Sequence, residues 1–166
     1  LESPQAPLPN ADVLLARLRT MAWRLFSRDA GTNRFSHDTL VRALNSGNGA
    51  PDPHVEGVLS QLFRFGFLES SGESEGESHF QFRLTAFLEF LAASQLAGEI
   101  NAEGWVLAKV PHFQTNQGWQ LFKINEMLDA NAFEPTWEPL FEFTAALLKQ
   151  PKPLLELLAD RSKDDL

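Results

Sequence analysis

Apolar residues recur at three- and four-residue steps from Asp12 to Arg28, where Leu14, Leu18, Met21, Ala22 and Leu25 share one helical face. This pattern predicts a first helix closed at Gly31. Ser36 caps a second, shorter helix whose stripe is Leu40, Val41 and Leu44 and which ends in Ser46-Gly47-Asn48-Gly49. Asp52 and Pro53 predict entry into a third helix, a capping side chain followed by a ring at the first helical position. Its buried face is Val55, Val58, Leu59, Leu62 and Phe63, and Gly66 stops it. Phe67-Leu68-Glu69 and Phe80-Gln81-Phe82-Arg83 then have strand composition. The serine, glycine and glutamate stretch from Ser70 to Ser78 is too polar to be buried, which predicts a hairpin with a long tip. Thr85 caps a fourth helix, Ala86 to Ala97, with Phe87, Phe90, Leu91 and Ser94 facing inward.

Three helices, a hairpin and a fourth helix make the order of a winged-helix domain, a variant of the helix-turn-helix. Beyond Gly98 the chain changes character: every earlier basic residue is arginine, every lysine comes later, and tryptophans accumulate. We therefore expect a mainly α protein in three parts: an extended, proline-bearing lead-in over 1–11, a winged-helix domain over 12–98, and an α-helical domain over 99–166. In the last part, Trp105 to Val110 fits a strand or a helical turn equally. Gly118 to Asp129 reads as a helix, and Pro135 opens a stronger one with Trp137, Leu140, Phe141, Thr144, Leu147 and Leu148 at helical spacing. Pro151 stops it, Pro153 opens a last helix through Leu154, Leu157 and Leu158, and Asp164-Asp165 reads as solvated tail. Two consecutive helical hairpins fit this half. The chain opens on Leu1 rather than methionine, which suggests a segment of a longer protein.

Composition narrows the chemistry. The 166 residues are 43% hydrophobic and carry a formal net charge of −8, so a folded core is expected and broad attraction to nucleic acid or anionic membrane is not. The absence of cysteine removes disulfides, thiolate metal sites and cysteine nucleophiles, and with no membrane-spanning run or signal peptide a cytoplasmic location is expected. No Gly-Lys pair forms a phosphate-binding loop, and Gly47 and Gly49 read as a turn. His37, His54, His79 and His112 fall on different elements without metal-ligand spacing, and no Gly-x-Ser-x-Gly elbow occurs. Glu73, Glu75 and Glu77 read as a solvated wing. No catalytic, metal or cofactor residue is assigned in this chain, which is expected not to be an enzyme.

Winged-helix modules read DNA with the third helix and the wing, both of which then need positive charge. From Asp52 to Glu77 Arg64 is the only arginine or lysine, against six acidic residues: Asp52, Glu56, Glu69, Glu73, Glu75 and Glu77. Arg17, Arg19, Arg24, Arg28, Arg34 and Arg42 instead cluster on and around the first two helices, as a solvated face with local partners in Asp12, Asp29 or Asp38.

The stretch Phe80-Gln81-Phe82-Arg83-Leu84-Thr85-Ala86-Phe87-Leu88-Glu89-Phe90-Leu91-Ala92-Ala93 resembles the winged-helix signature of NACHT-type NTPases, of the STAND class of signalling ATPases. Leu62 to Glu69 is similar to the usual approach to that hairpin, and Trp137 to Leu148 to the helix that opens the following helical domain. The resemblance implies a winged helix that folds back on a nucleotide-binding domain and holds its ADP-bound resting state. ATP or ADP and magnesium would then sit on that domain, which is absent from this chain. Leu84 stands where the family has a histidine that reaches the bound phosphate, and Leu88 where it has a glutamine. Leucine has no hydrogen to donate, so the resemblance implies a switch held by packing, or by Arg83 or Thr85. Arg83, Leu84, Thr85 and Glu89 are the candidate interdomain contacts.

The expected function is that of a non-catalytic regulatory module in a multidomain, bacterial-type signalling NTPase. Its expected partner is the nucleotide-binding domain of the same protein, with other protein partners open and neither nucleic acid nor membrane expected. The alternative is a free-standing winged-helix DNA-binding regulator whose tryptophan-rich half dimerises or binds an effector. A scaffold for protein partners without a switch is the third reading.

Overall fold

The computed structural model describes residues 10–45, 52–114 and 117–164, and the Ser46-Gly47-Asn48-Gly49 turn lies outside them. The chain is mainly helical with two small antiparallel sheets. Helix α1 spans Ala11–Arg28, so Ala11, expected in the lead-in, belongs to it. The Asn10 side chain caps this helix by accepting from the amide of Val13 at 2.9 Å. Strand β1 is the pair Phe35–Ser36, and Ser36 caps α2, His37–Leu44, as expected, its hydroxyl accepting from Thr39 N–H at 3.2 Å.

Helix α3 spans Val55–Arg64 and starts later than the Asp52-Pro53 signal predicts. Asp52 serves the turn ahead of it: its carboxylate accepts the His54 amide at 2.8 Å and pairs with Arg17 at 2.7 Å. Those two contacts, the amide first, hold the Asp52 carboxyl below the usual range. Gly66 ends α3 with φ of 77°, the left-handed region that glycine enters without penalty.

Strands β2 (Leu68–Ser74) and β3 (Glu77–Phe82) replace the expected long tip with a ladder that reaches a two-residue turn. Glu75 and Gly76 both take positive φ, 53° and 78°, the twist that a tight antiparallel turn requires. Polarity had argued for a loop, yet a ladder satisfies its own backbone and leaves both faces free for solvent. An extra residue at Ser71 bulges β2. β1 pairs with the other side of β3, Phe35 opposite Phe80, giving the order β1-β3-β2.

Helix α4 spans Thr85–Glu103 and runs through the expected boundary at Gly98 and Glu99. Its N-cap is Leu84 rather than Thr85, and its buried face is Leu88, Leu91, Ala92, Ala93, Ser94, Leu96, Ala97 and Ile100. Phe90, expected inside, is exposed against Phe143. The small Ala92, Ala93 and Ala97 are buried on α4, which packs against both α1 and a later helix.

The segment after α4 resolves the open choice at Trp105 into a turn followed by β4, Lys109–Gln114. Gly118–Lys123 is β5, paired with β4, and only Ile124–Ala130 is helical, as α5. The expected helix over 118–129 and the paired helical hairpins are thus corrected. The deciding interaction is cross-strand pairing within a local hairpin, with Phe113 opposite Trp119, which the helical spacing of 118–129 alone does not show. Pro135–Trp137 forms a single 3-10 turn, α6 spans Glu138–Leu147 ahead of Pro151, and α7 spans Lys152–Asp164, with Pro153 in its first turn. Asp165 lies outside the described residues.

One hydrophobic core runs from Leu18 of α1 to Leu154 of α7. Its joint between the two halves is aromatic. The Trp23 indole donates to the Pro111 carbonyl at 2.6 Å, and Trp23 and Phe26, stacked on each other, each meet Trp137 edge to face. Ser27 and His112 hydrogen-bond at 2.6 Å beside them, and Ser27 Oγ also accepts the Phe113 amide at 3.2 Å.

Candidate functional site

The junction of β3 and α4 brings Arg83, Leu84 and Thr85 together with residues from the end of α3. Phe82 is buried, so the alternation of the strand turns Arg83 outward. Arg83 N–H donates to the Phe67 carbonyl at 2.9 Å, and Phe67 N–H to the Leu62 carbonyl at 2.9 Å, which ties this junction to the α3 exit. A side chain at Gly66 would meet Arg83 Nη1 at 3.4 Å, so the bare glycine backbone gives the guanidinium room to lie alongside.

Around these contacts lies a shallow depression of about 310 Å³ lined by Phe65, Gly66, Phe67, Arg83, Leu84 and Phe87. Leu84 and Phe65 are each 69% exposed and Phe67 is 41% exposed. Phe67 and Phe87 stack with ring centres 4.6 Å apart, forming a flat apolar floor. Large apolar side chains exposed together on a small chain are uncommon unless something covers them. No ion pair among the described residues involves Arg83 at the rim.

Thr85 is exposed, but its hydroxyl is engaged: it accepts from Asn33 Nδ2 at 3.0 Å. Asn33 also donates to the Phe82 carbonyl at 2.8 Å and accepts the Phe82 amide at 3.0 Å. This single side chain therefore clamps the turn into α4. Glu89 does not line the depression. It is half-buried one turn further along α4, where burial first and the charge of Glu142 second raise its pKa.

Asn33, Phe65 and Phe67 are absent from the sequence-based site. Phe65 and Phe67 carried a signal, because both fall outside the apolar stripe of α3, as aromatics with no place in a predicted core. Asn33 carried none, since its three bonds reach residues about fifty positions away.

The arginine cluster is less locally paired than expected. Arg17 pairs with Asp52 rather than Asp12, Asp29 or Asp38, and it also donates to the Leu44 carbonyl at 3.0 Å. Arg24 donates to the Asn45 carbonyl at 2.7 Å. Glu73, Glu75 and Glu77 are exposed on the β2–β3 hairpin and Arg64 is exposed at the end of α3. His37 lies 3.1 Å from Glu56, and His112 lies against Trp23, Phe122 and Trp137, where burial lowers its pKa. Among the described residues no group of three or more potential metal ligands converges, and no helix is long and apolar enough to cross a membrane. No family model, curated protein or solved structure matches this chain.

Proposed function

We propose that the chain is a non-catalytic regulatory module of a multidomain NACHT-type signalling NTPase. It comprises a winged-helix unit and the first helices of the next domain, and docks on the nucleotide-binding domain of the same protein to bias its switch. The observation that carries this reading is the exposed cluster of Leu84, Phe65 and Phe67 with Arg83 at its rim, centred where the signature resemblance puts the interdomain contact. The element order α1-β1-α2-α3-β2-β3 with sheet order β1-β3-β2 supports the winged-helix part of the reading. The partner surface should be apolar with an acceptor for Arg83. Covering one large apolar side chain contributes about 1.5–3 kcal/mol. Leu84 thus acts by packing, and the domain's nucleotide state acts on this arm by changing the shape of the surface it meets.

The test is titration of this chain against the nucleotide-binding domain encoded with it, loaded with ADP or with a non-hydrolysable ATP analogue. We expect tighter docking to the ADP form, and a loss of about tenfold or more with Leu84→Asp, equivalent to 1.4 kcal/mol. Equal affinity in both states would favour a switchless scaffold, and undiminished binding of Leu84→Asp would remove this surface from the account. The DNA-binding alternative predicts duplex affinity that falls steeply with salt. The acidic hairpin and the single arginine of α3 argue against it.

A further inference from the structure

Three arginines of an acidic chain converge on a second hollow, of about 430 Å³, between α1, α2 and the β4–β5 hairpin. Arg24 and Arg28 are one turn apart on α1 and so share a face; Arg42 comes from α2, and Phe113 and Trp119 from the two strands. Among the described residues, no carboxylate lines this hollow and no ion pair involves these arginines. Arg24 is fixed in place, its Nη1 donating to the carbonyls of Asn45 at 2.7 Å and Ala43 at 3.4 Å. The Arg28 guanidinium lies 5.3 Å from the centre of the Phe113 ring, and Phe113 meets Trp119 edge to face at 5.4 Å. Trp119 is 43% exposed.

Arg24 is held by the Ala43 and Asn45 carbonyls and Arg28 by the Phe113 ring, yet three like charges gathered without a carboxylate still repel one another, which an anion in the hollow would relieve. Arginine presents a planar fork of donors that matches phosphate oxygens. A bare anion would leave the aromatic wall unused, whereas a ring attached to the anion can stack there. The volume falls within the range of small-ligand sites, roughly 300–1,000 Å³. We propose that this hollow binds a phosphate ester carrying a planar ring, of the mononucleotide class. Arg28, Arg42 and Arg24 hold the phosphate while the ring lies against the aromatic wall of Trp119 and Phe113. The site shares no residue with the Leu84 surface and stands or falls separately from the docking reading.

The test is titration of the full chain with AMP, with inorganic phosphate and with a single-stranded hexanucleotide, followed by calorimetry and by the indole N–H resonance of Trp119. We expect AMP to bind below about 1 mM and about tenfold more tightly than phosphate, the ring accounting for roughly 1.4 kcal/mol. Arg28→Gln with Arg42→Gln should weaken AMP about tenfold or more, and Trp119→Ala should weaken AMP while sparing phosphate. Arg64→Gln, on α3, should change neither. Arg28, Arg42 and Arg64 are exposed, so their substitution should leave the thermal midpoint unchanged, whereas Trp119→Ala also removes the ring contact with Phe113. A hexanucleotide that binds through the same residues more tightly than AMP would assign the phosphate to a nucleic-acid strand with the chemistry unchanged. No AMP binding up to about 5 mM, equal affinity for AMP and phosphate, or AMP binding untouched by the double arginine substitution would overturn the proposal.

Discussion

His112 sits at the joint between α1 and β4, and its environment makes that joint pH-sensitive. Burial holds its folded-state pKa below its ordinary value of 6.5. The unfolded chain therefore binds a proton before the folded chain does, so this contribution to stability is complete above 6.5 and is lost as pH falls through the window below it. We expect the urea midpoint to drop between about pH 7 and pH 5, and His112→Gln to flatten that drop. Glu89 has the opposite sign. Its raised pKa means that its charge costs stability at neutral pH, a cost relieved as pH falls toward its ordinary 4.5. Glu89→Gln should raise the thermal midpoint at pH 7 and leave it unchanged near pH 4. An equal midpoint at both pH values would show that Glu142 and burial do not act on this carboxylate.

Elements set by local periodicity were readable from the sequence; those set by remote pairing were not. Helix α1 could be read from Leu14 to Leu25 because its apolar stripe is continuous, and Ser36 because capping is a property of three residues. β1 is two residues long and exists only because Phe35 meets Phe80, forty-five positions away. β5 fails differently: its partner β4 is the adjacent strand of a hairpin, but Trp119 and Leu121 carry no helix-breaking signal, so only the pairing decides. Two glycines separate local from tertiary constraint. Gly31 has φ of 89°, and a side chain there would lie 2.8 Å from Thr136 Cγ2, so Gly31→Ala should cost about 1–2 kcal/mol. Gly98 lies inside α4 with open space around it, so Gly98→Ala should stabilise by about 0.5–1 kcal/mol. Chemical denaturation of the two variants should give shifts of opposite sign.

At the scale of the whole molecule, α4 is the shared wall: α1 presses on it from the first half and α6 from the second. Leu96 is fully buried there, and Leu96→Ala should cost about 2–5 kcal/mol in a single cooperative transition. Of the candidate site, Arg83, Leu84 and Thr85 were legible because the signature resemblance pointed to them. Their aromatic surround was legible only in part: Phe65 and Phe67 stand outside the stripe of α3, but their gathering with Phe87 depends on how α3 leaves its last turn. The docking account needs a partner in the same polypeptide, and the most direct check is the coding frame upstream of Leu1. The account predicts a phosphate-binding loop within a few hundred residues, followed by the rest of a nucleotide-binding domain. A start codon immediately ahead of Leu1 would contradict it and leave this chain as a free-standing protein.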